Sequence, residues 1–280
     1  MRVGMNLLLW TSHVTEQHYP VIGALREAGF DGVELPIGAG DVAHYRALGA
    51  ELDRVGLART AVTSPTPETN PVSPDPAVRR AAVDRIKWTI DCAAALGCEA
   101  LCGPIHSAFK VFTGVPPTED ERNWSAEVLR VGAEHAADAG ITLGIEALNR
   151  FECYLVNTMA DARDLVRRVD HANLGVHYDT HHMHIEEKNV TRAIESVASE
   201  LRHVHISEND RGTPGSGQVA WKETFAALKS VGYDGWLTIE SFSRLDPDFA
   251  GAIHVWRDFD ACEAIYTDGL KFIRESWAGE

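Results

Sequence analysis

Short apolar runs alternate with amphipathic stretches along the whole chain. The apolar runs predict eight strands, over residues 2–10, 32–36, 58–64, 99–104, 142–147, 174–179, 202–207 and 236–241. A helical period predicts eight helices between and after them, near residues 16–28, 41–55, 77–96, 119–139, 159–169, 190–200, 221–231 and 257–276. Strands that alternate regularly with helices indicate a parallel sheet with right-handed crossovers. We therefore expect a single α/β domain over residues 1–280, folded as a (β/α)8 TIM barrel.

A doubly wound open sheet is the competing α/β fold. It favours a glycine-rich, dinucleotide-binding turn after the first strand, whereas this chain has LLLWTSH there. The GSG sequence at residues 215–217 is weak evidence for a cofactor site. The barrel is the better interpretation.

Two connections are longer than a barrel needs, at residues 64–77 and 243–260. Both follow predicted strands, so both lie at the carboxyl-terminal face of the barrel. Loops on that face cover the substrate in barrel enzymes. We interpret them either as loops over a site or as ordinary surface connections.

The charge and the cysteines limit the classes of partner. Lys and Arg number 26 and Asp and Glu number 41, which gives a net charge of −15. Such an acidic chain is not expected to bind nucleic acid or an anionic membrane surface. The amino-terminal sequence lacks the pattern of a secretory signal, and the five cysteines include no CxxC pair. We expect a cytoplasmic protein with reduced cysteines.

Four polar residues lie at the ends of the last four predicted strands: Glu146, Asp179, His205 and Glu240. Alternation of side chains along each strand places all four on the inner face of the barrel. Three carboxylates cannot be buried together without a compensating cation. Three oxygen ligands and one imidazole suit a divalent ion such as Mn²⁺, Co²⁺ or Mg²⁺.

The sequence HYDTHHMHIEEK contains four histidines. His177 lies deeper on its strand than Asp179, so we interpret it as a core or supporting residue, and His184 as a loop or surface residue. His182 is placed to reach over the metal. Arg211 follows His205 in a Gly/Pro-rich loop and is either similarly placed or a solvated charge.

The stretches IEALNRFECYLVNT, YDTHHMHIEEKN, HVHISENDRGTPGSG and LTIESF occur in this order. Together they resemble the ketose 3-epimerases, that is, the D-tagatose/D-psicose 3-epimerases and L-ribulose 3-epimerases of the xylose-isomerase-like TIM barrel superfamily. The resemblance covers nearly the whole chain and is most specific over residues 144–158 and 177–217.

The resemblance implies metal-dependent epimerisation of a free ketose at C3 through a cis-enediolate. Glu146 and Glu240 would act as bases on opposite faces of C3, so that one removes the proton and the other returns it. Mn²⁺ would be held by Glu146, Asp179, His205 and Glu240, while Glu152, His182 and Arg211 would bind the O1/O2 end of the sugar. Members of this group assemble as homodimers or homotetramers.

The far end of the sugar is less well defined by the sequence. By their position after strands one and four, Trp10, Ile105, His106 and Lys110 are expected around C4 to C6. The main alternative function is an aldose–ketose or hydroxypyruvate-type isomerase on the same barrel. A DNA-repair endonuclease with a zinc cluster and a non-catalytic carbohydrate-binding barrel are further alternatives.

Overall fold

Eight parallel strands close into a barrel in the computed structural model, which describes residues 1–279. Each strand pairs with the next, and the first pairs with the last. The strands are β1 (Arg2–Asn6), β2 (Gly32–Pro36), β3 (Ala58–Val62), β4 (Ala100–Gly103), β5 (Thr142–Glu146), β6 (Leu174–Asp179), β7 (Leu201–Ile206) and β8 (Trp236–Ile239). The predicted (β/α)8 fold is confirmed.

Ten helices accompany the strands in the described part of the chain. They are α1 (Tyr19–Ala28), α2 (Val42–Val55), α3 (Pro76–Leu96), α4 (Glu119–Asp138), α5 (Met159–Val169), α6 (Thr180–Glu186), α7 (Val190–Ser196), α8 (Trp221–Ser230), α9 (Pro247–Ala252) and α10 (Cys262–Ala278). Across residues 1–279, no helix is both long enough and apolar enough to span a bilayer.

The apolar core lies between the barrel and the helices. Outward-facing strand residues such as Leu143 and Ile145 are completely buried there. Gly132 lets α4 approach closely, because a Cβ at this position would lie 3.1 Å from Ile86 and 3.7 Å from Leu143. The inner face of the strands is different, since it carries buried polar side chains as well as small residues. Polar chemistry is therefore concentrated inside the barrel.

Several predicted boundaries differ from the observed ones. The first strand ends at Asn6 rather than at residue 10, because the Asn6 side chain accepts a hydrogen bond from the Leu8 amide at 2.9 Å and starts a 3-10 turn. The connection around His184 is helix α6 rather than a loop, and His184 is exposed on this helix, which agrees with the alternative of a surface residue. The connection 243–260 contains α9, and the last helix begins at Cys262, not at residue 257.

Candidate active site

The four polar residues predicted at the strand ends meet at one end of the barrel. Glu146, Asp179, His205 and Glu240 each offer a ligand atom, and these atoms lie within 4.8 Å of one another. All four side chains are buried. They converge because neighbouring parallel strands end at the same rim, and β6 and β7 pair with Asp179 directly opposite His205.

His205 presents one ring nitrogen to the carboxylates. Its Nδ1 lies 3.4 Å from Glu240 Oε1, 3.6 Å from Asp179 Oδ2 and 4.0 Å from Glu146 Oε1. This Nδ1 atom is buried and has no hydrogen-bond partner within the described residues. An unpartnered imidazole nitrogen that faces three carboxylates is the arrangement of a set of metal ligands.

The charges of the cluster lead to the same interpretation. Burial and the neighbouring Glu240 raise the pKa of Glu146 well above its ordinary value. Burial also acts to raise the pKa of Asp179, but Arg211 and His182 outweigh it and hold that pKa well below the usual range. With all three carboxylates ionised, as a set of metal ligands must be, the cluster carries more negative charge than the guanidinium of Arg211 balances. A divalent cation would remove this excess, and the residues present fit one.

Arg211 reaches the cluster from the loop after β7. Its backbone is left-handed, with φ at +68°. Its Nη1 donates to Ser207 Oγ at 2.7 Å, to Glu240 Oε2 at 2.8 Å and to Asp179 Oδ2 at 3.3 Å. The guanidinium also lies 4.8 Å above the Phe242 ring. Arg211 is thus a buried cation rather than a solvated one, and it is directed at the carboxylates.

The carboxylate of Glu208 holds that loop in place. This completely buried side chain accepts hydrogen bonds from the backbone amides of Asn209, Gly215, Gln218 and Val219 and from the indole N–H of Trp221. The loop conformation that carries Arg211 therefore depends on one acid.

His182 lies after β6 and Glu152 lies in the loop after β5. Both side chains accept a hydrogen bond from Asn149. Helix α6 begins directly after β6, and Asp179 Oδ1 accepts the His182 amide at 2.9 Å as its cap. This short helix places His182 Nε2 3.0 Å from Arg211 Nη2 and 3.6 Å from Glu146 Oε1. Asn149 donates from its backbone to His182 Nδ1 at 3.1 Å and from Nδ2 to Glu152 Oε1 at 3.0 Å. The structure thus brings the three residues predicted to bind the O1/O2 end of the sugar to one side of the cluster.

A cavity of about 250 Å³ opens beside Glu146 and Glu240. Its remaining lining comes mainly from the loops after β1 to β4 and from α9. These residues are Leu8, Ser12, Pro36, Ile37, Gly38, Val62, Thr63, Ser64, Gly103, Pro104 and Phe249. The space has two carboxylates on one side and mostly apolar surface elsewhere.

Comparison with known proteins decides the family. The family model of the xylose isomerase-like TIM barrel matches residues 22–276. A ketose 3-epimerase from Arthrobacter globiformis is 36% identical over 280 residues, which are 98% of this chain and 96% of that protein. The chain belongs to the ketose 3-epimerase family. A D-psicose 3-epimerase from Ruminiclostridium cellulolyticum is 31% identical over 92% of this chain and 89% of its own length.

Solved structures of the ketose 3-epimerase family share the whole architecture. A D-allulose 3-epimerase from Methylomonas sp. superimposes with a TM-score of 0.92 at 31% identity, covering 99% of this chain and 98% of that one. The predicted family is confirmed, and with it the prediction of a carbohydrate epimerase.

Three residues predicted at the far end of the sugar do not line the described cavity of this family member. Trp10 packs against Tyr266 of α10, with ring centroids 6.1 Å apart. Ile105 is buried in the core. His106 is completely buried, and its ring bonds to Ser107 Oγ and to the Glu146 carbonyl, both at 2.9 Å. Their contact with substrate stays a prediction, and the observed contacts of His106 are with the end of β5.

Lys110 is the fourth residue expected there. Its Nζ donates to the Ala252 carbonyl at 2.6 Å and lies 3.1 Å from the His254 ring. Its backbone amide donates to the Glu152 carbonyl at 2.8 Å. Lys110 therefore ties together the loops after β4, β5 and β8.

Sequence reasoning missed several members of the site, above all Glu34. Burial acts to raise the pKa of Glu34, but His205 and His203 outweigh it and hold that pKa well below the usual range. A signal was present, because Glu34 shares the inward face of GVELP with Gly32, just as Glu146 shares that of TLGIE with Gly144. Asn6 carried the same signal, because it shares the inward face of RVGMN with Gly4, whereas Asn149 and Ser207 follow the ends of their strands and had none.

Proposed function

We propose that this chain epimerises a free ketose at C3 by transferring a proton between the substrate and two carboxylates, Glu146 and Glu240. One observation carries the proposal: these carboxylates come from different strands, β5 and the end of β8, and both face the same cavity. Inversion of a carbon centre needs a base on each face, whereas a shift of a proton between C1 and C2 needs one face only. The relatives described above, named as ketose 3-epimerases, support this chemistry.

Each carboxylate has an environment suited to proton transfer. Glu146 is buried beside Glu240 and lines the cavity, so its carboxylate can accept a proton from a substrate bound there. Arg211 donates to Glu240 Oε2 at 2.8 Å and thereby orients the second carboxylate. We assign Glu146 and Glu240 as the two catalytic residues, exchanging the roles of base and acid with the direction of the reaction.

The remaining polar residues would bind and orient the sugar. Arg211 and His182 are donors near the place where negative charge develops on the deprotonated substrate, the cis-enediolate. Glu152, held by Asn149, would accept a hydroxyl of the O1/O2 end. The cavity lined by Leu8, Ile37 and other apolar residues would receive the C4 to C6 end of the sugar.

We propose Mn²⁺ as the ion of the cluster, with Co²⁺ or Mg²⁺ as substitutes. Glu146, Asp179, His205 and Glu240 would hold it, and three oxygen donors with one nitrogen donor match the preferences of these ions. When bound, the ion supplies Lewis-acid polarisation of the ketone, which acidifies the C3 proton.

The cavity lining supports an unphosphorylated substrate. Among the described residues that line it, none is Lys or Arg, and two are carboxylates. A phosphate needs cationic donors or a helix amino terminus directed at it.

Exposed apolar side chains support a homodimer or homotetramer. Six large ones are exposed in the described chain, and all follow strands β4, β5, β6 or β8 on the face where the site opens: Phe112, Val115, Phe151, Ile185, Leu245 and Trp256. An interface between copies on this face would cover these side chains. Light scattering on the parent and on a Phe151→Ser/Trp256→Ser variant tests this, and a monomeric parent would contradict it.

A deuterium-exchange assay tests the reaction. The metal-stripped protein is reloaded with Mn²⁺ and incubated with D-fructose and other ketoses in D₂O, and products are followed by NMR. We expect a 3-epimer that carries deuterium at C3. An aldose product without a 3-epimer would instead establish the aldose–ketose isomerase.

Two substitutions separate the roles of the carboxylates. Glu146→Gln and Glu240→Gln should each lower epimerisation by about 10²- to 10⁴-fold. Each should retain exchange at C3 with only one of the two epimers, because one base remains. Metal content is measured in both variants, and Glu121→Gln, a buried glutamate of α4 outside the cavity, is the control. Full epimerase activity in either site variant would refute the two-base assignment.

A further inference from the structure

The carboxylate of Glu34 lies completely buried inside the barrel, next to the cluster. Its Oε1 contacts His205 Nε2 at 2.5 Å and Asn6 Nδ2 at 2.9 Å. Its Oε2 contacts Thr60 Oγ1 and His203 Nε2, both at 2.8 Å. No step of the proposed reaction uses this acid. Burying a carboxylate costs free energy unless the group is paired and hydrogen-bonded, so the partners of Glu34 explain how it can lie there.

An ionised carboxylate can only accept hydrogen bonds. When a cation occupies Nδ1, the one proton of the His205 ring must therefore lie on Nε2, where Glu34 accepts it. This leaves the lone pair of Nδ1 directed at Glu146, Asp179 and Glu240. Without that acceptor, Nδ1 could itself carry the proton, and the ring would then offer the cluster a donor instead of a ligand.

The backbone register makes this contact rigid. Asn6 of β1 lies opposite Glu34 of β2, which lies opposite Thr60 of β3. Three neighbouring strands thus place three polar side chains in one row. Asn6 is further fixed by its bond to the Leu8 amide.

Asn6 also connects Glu34 to the second catalytic carboxylate. Its Nδ2 lies 2.9 Å from Glu34 Oε1 and 3.4 Å from Glu240 Oε1. The row on β1, β2 and β3 therefore contacts His205 of β7 across the barrel interior and Glu240 at the end of the neighbouring strand β8.

We propose that Glu34 is a positioning residue that fixes the tautomer and orientation of His205 and, through Asn6, the position of the Glu240 carboxylate. This inference rests on the proposed function, because it gives His205 the part of a metal ligand. Its consequence is that Glu34 controls the affinity of the cluster for a divalent ion without contacting that ion.

Metal affinity of paired variants tests the proposal. Glu34→Leu removes the acceptor, whereas Glu34→Gln keeps one oxygen that can still accept from His205. We expect Mn²⁺ to bind the stripped Glu34→Leu protein about 10- to 100-fold more weakly than the parent in isothermal titration, and Glu34→Gln less than ~10-fold more weakly. Glu121→Leu, which also replaces a buried carboxylate, should bind as the parent does.

The ring nitrogens of His205 supply a readout that does not depend on folding of the Leu variant. In ¹⁵N–¹H spectra of the Mg²⁺-loaded parent and Glu34→Gln proteins, we expect the proton on Nε2 and none on Nδ1. A proton on Nδ1, or parental affinity in Glu34→Leu, would overturn the proposal. A parent that binds no Mn²⁺ would refute the metal-dependent function instead, and the nitrogen shifts of the metal-free protein would then decide the role of Glu34.

Discussion

The pH dependence of stability should depend strongly on His106. This ring is completely buried, and burial lowers its pKa from 6.5 to about 4. Its Nε2–H donates to the Glu146 carbonyl, and Nδ1 accepts from Ser107. The perturbation is His106→Gln, which keeps an amide donor for that carbonyl and does not titrate.

The magnitude follows from the two pKa values. Below pH 6.5 the His106 ring of the unfolded chain binds a proton. The same ring in the folded protein binds its proton only when the pH falls to about 4. The unfolded state therefore binds more protons in this window, so stability is full above it and falls as the pH is lowered. With these values the loss at pH 5 is about 2 kcal/mol. The amide side chain of the His106→Gln variant cannot contribute such a loss.

The assay is urea denaturation of metal-free parent and variant between pH 8 and pH 5, at one fixed protein concentration. At pH 8 the variant should be less stable by roughly 1 kcal/mol, because the bond to Ser107 is lost. At pH 5 the order should be reversed. His184→Gln on the exposed face of α6 controls for the replacement itself. Parallel curves for parent and His106→Gln would refute the reasoning.

Three further results are expected. Gly103 has φ at +121°, and a Cβ there would lie 2.3 Å from the Thr63 carbonyl oxygen, so Gly103→Ala should cost more than ~2 kcal/mol in urea melts. Gly114→Ala shares the left-handed backbone, with φ at +78°, but has no atom within 4 Å of the new Cβ, so it should cost only the backbone strain of about 1 kcal/mol; equal costs would contradict the clash. Glu208→Ala should lower thermal stability by at least ~2 kcal/mol and raise KM, because the loop that carries Arg211 loses its acceptor. Mn²⁺ at 100 times its Kd should stabilise the parent by about 2.7 kcal/mol relative to protein in EDTA, and an unchanged melting temperature would exclude a metal at the cluster.

Much of the candidate site was predictable because the strands of a barrel obey two local rules. Side chains alternate between faces, and parallel strands all end at the same rim. An acid or imidazole at the end of an apolar run, as at Glu146 or His205, is therefore placed by its position in the sequence alone. A different signal, the regular alternation of apolar runs with amphipathic stretches, predicted eight strands and the closed barrel.

Contacts between distant strands were not predictable in this way. The row of Asn6, Glu34 and Thr60 exists because of the register of β1, β2 and β3, and its contact with His205 spans the barrel interior. Glu34 and His205 are 171 positions apart in the sequence. They come into contact only when the barrel closes.

Local backbone events also escaped the periodic pattern. The short helix α6 brings His182 over Asp179 because the Asp179 carboxylate caps it. The loop after β7 turns Arg211 inward through a left-handed backbone held by Glu208. The sequence by itself determined which polar groups reach the mouth of the barrel, since that depends on alternation along single strands. Only the tertiary structure decided how those groups are oriented and which of them form hydrogen bonds with one another. Both properties depend on side chains from different strands meeting in one buried space.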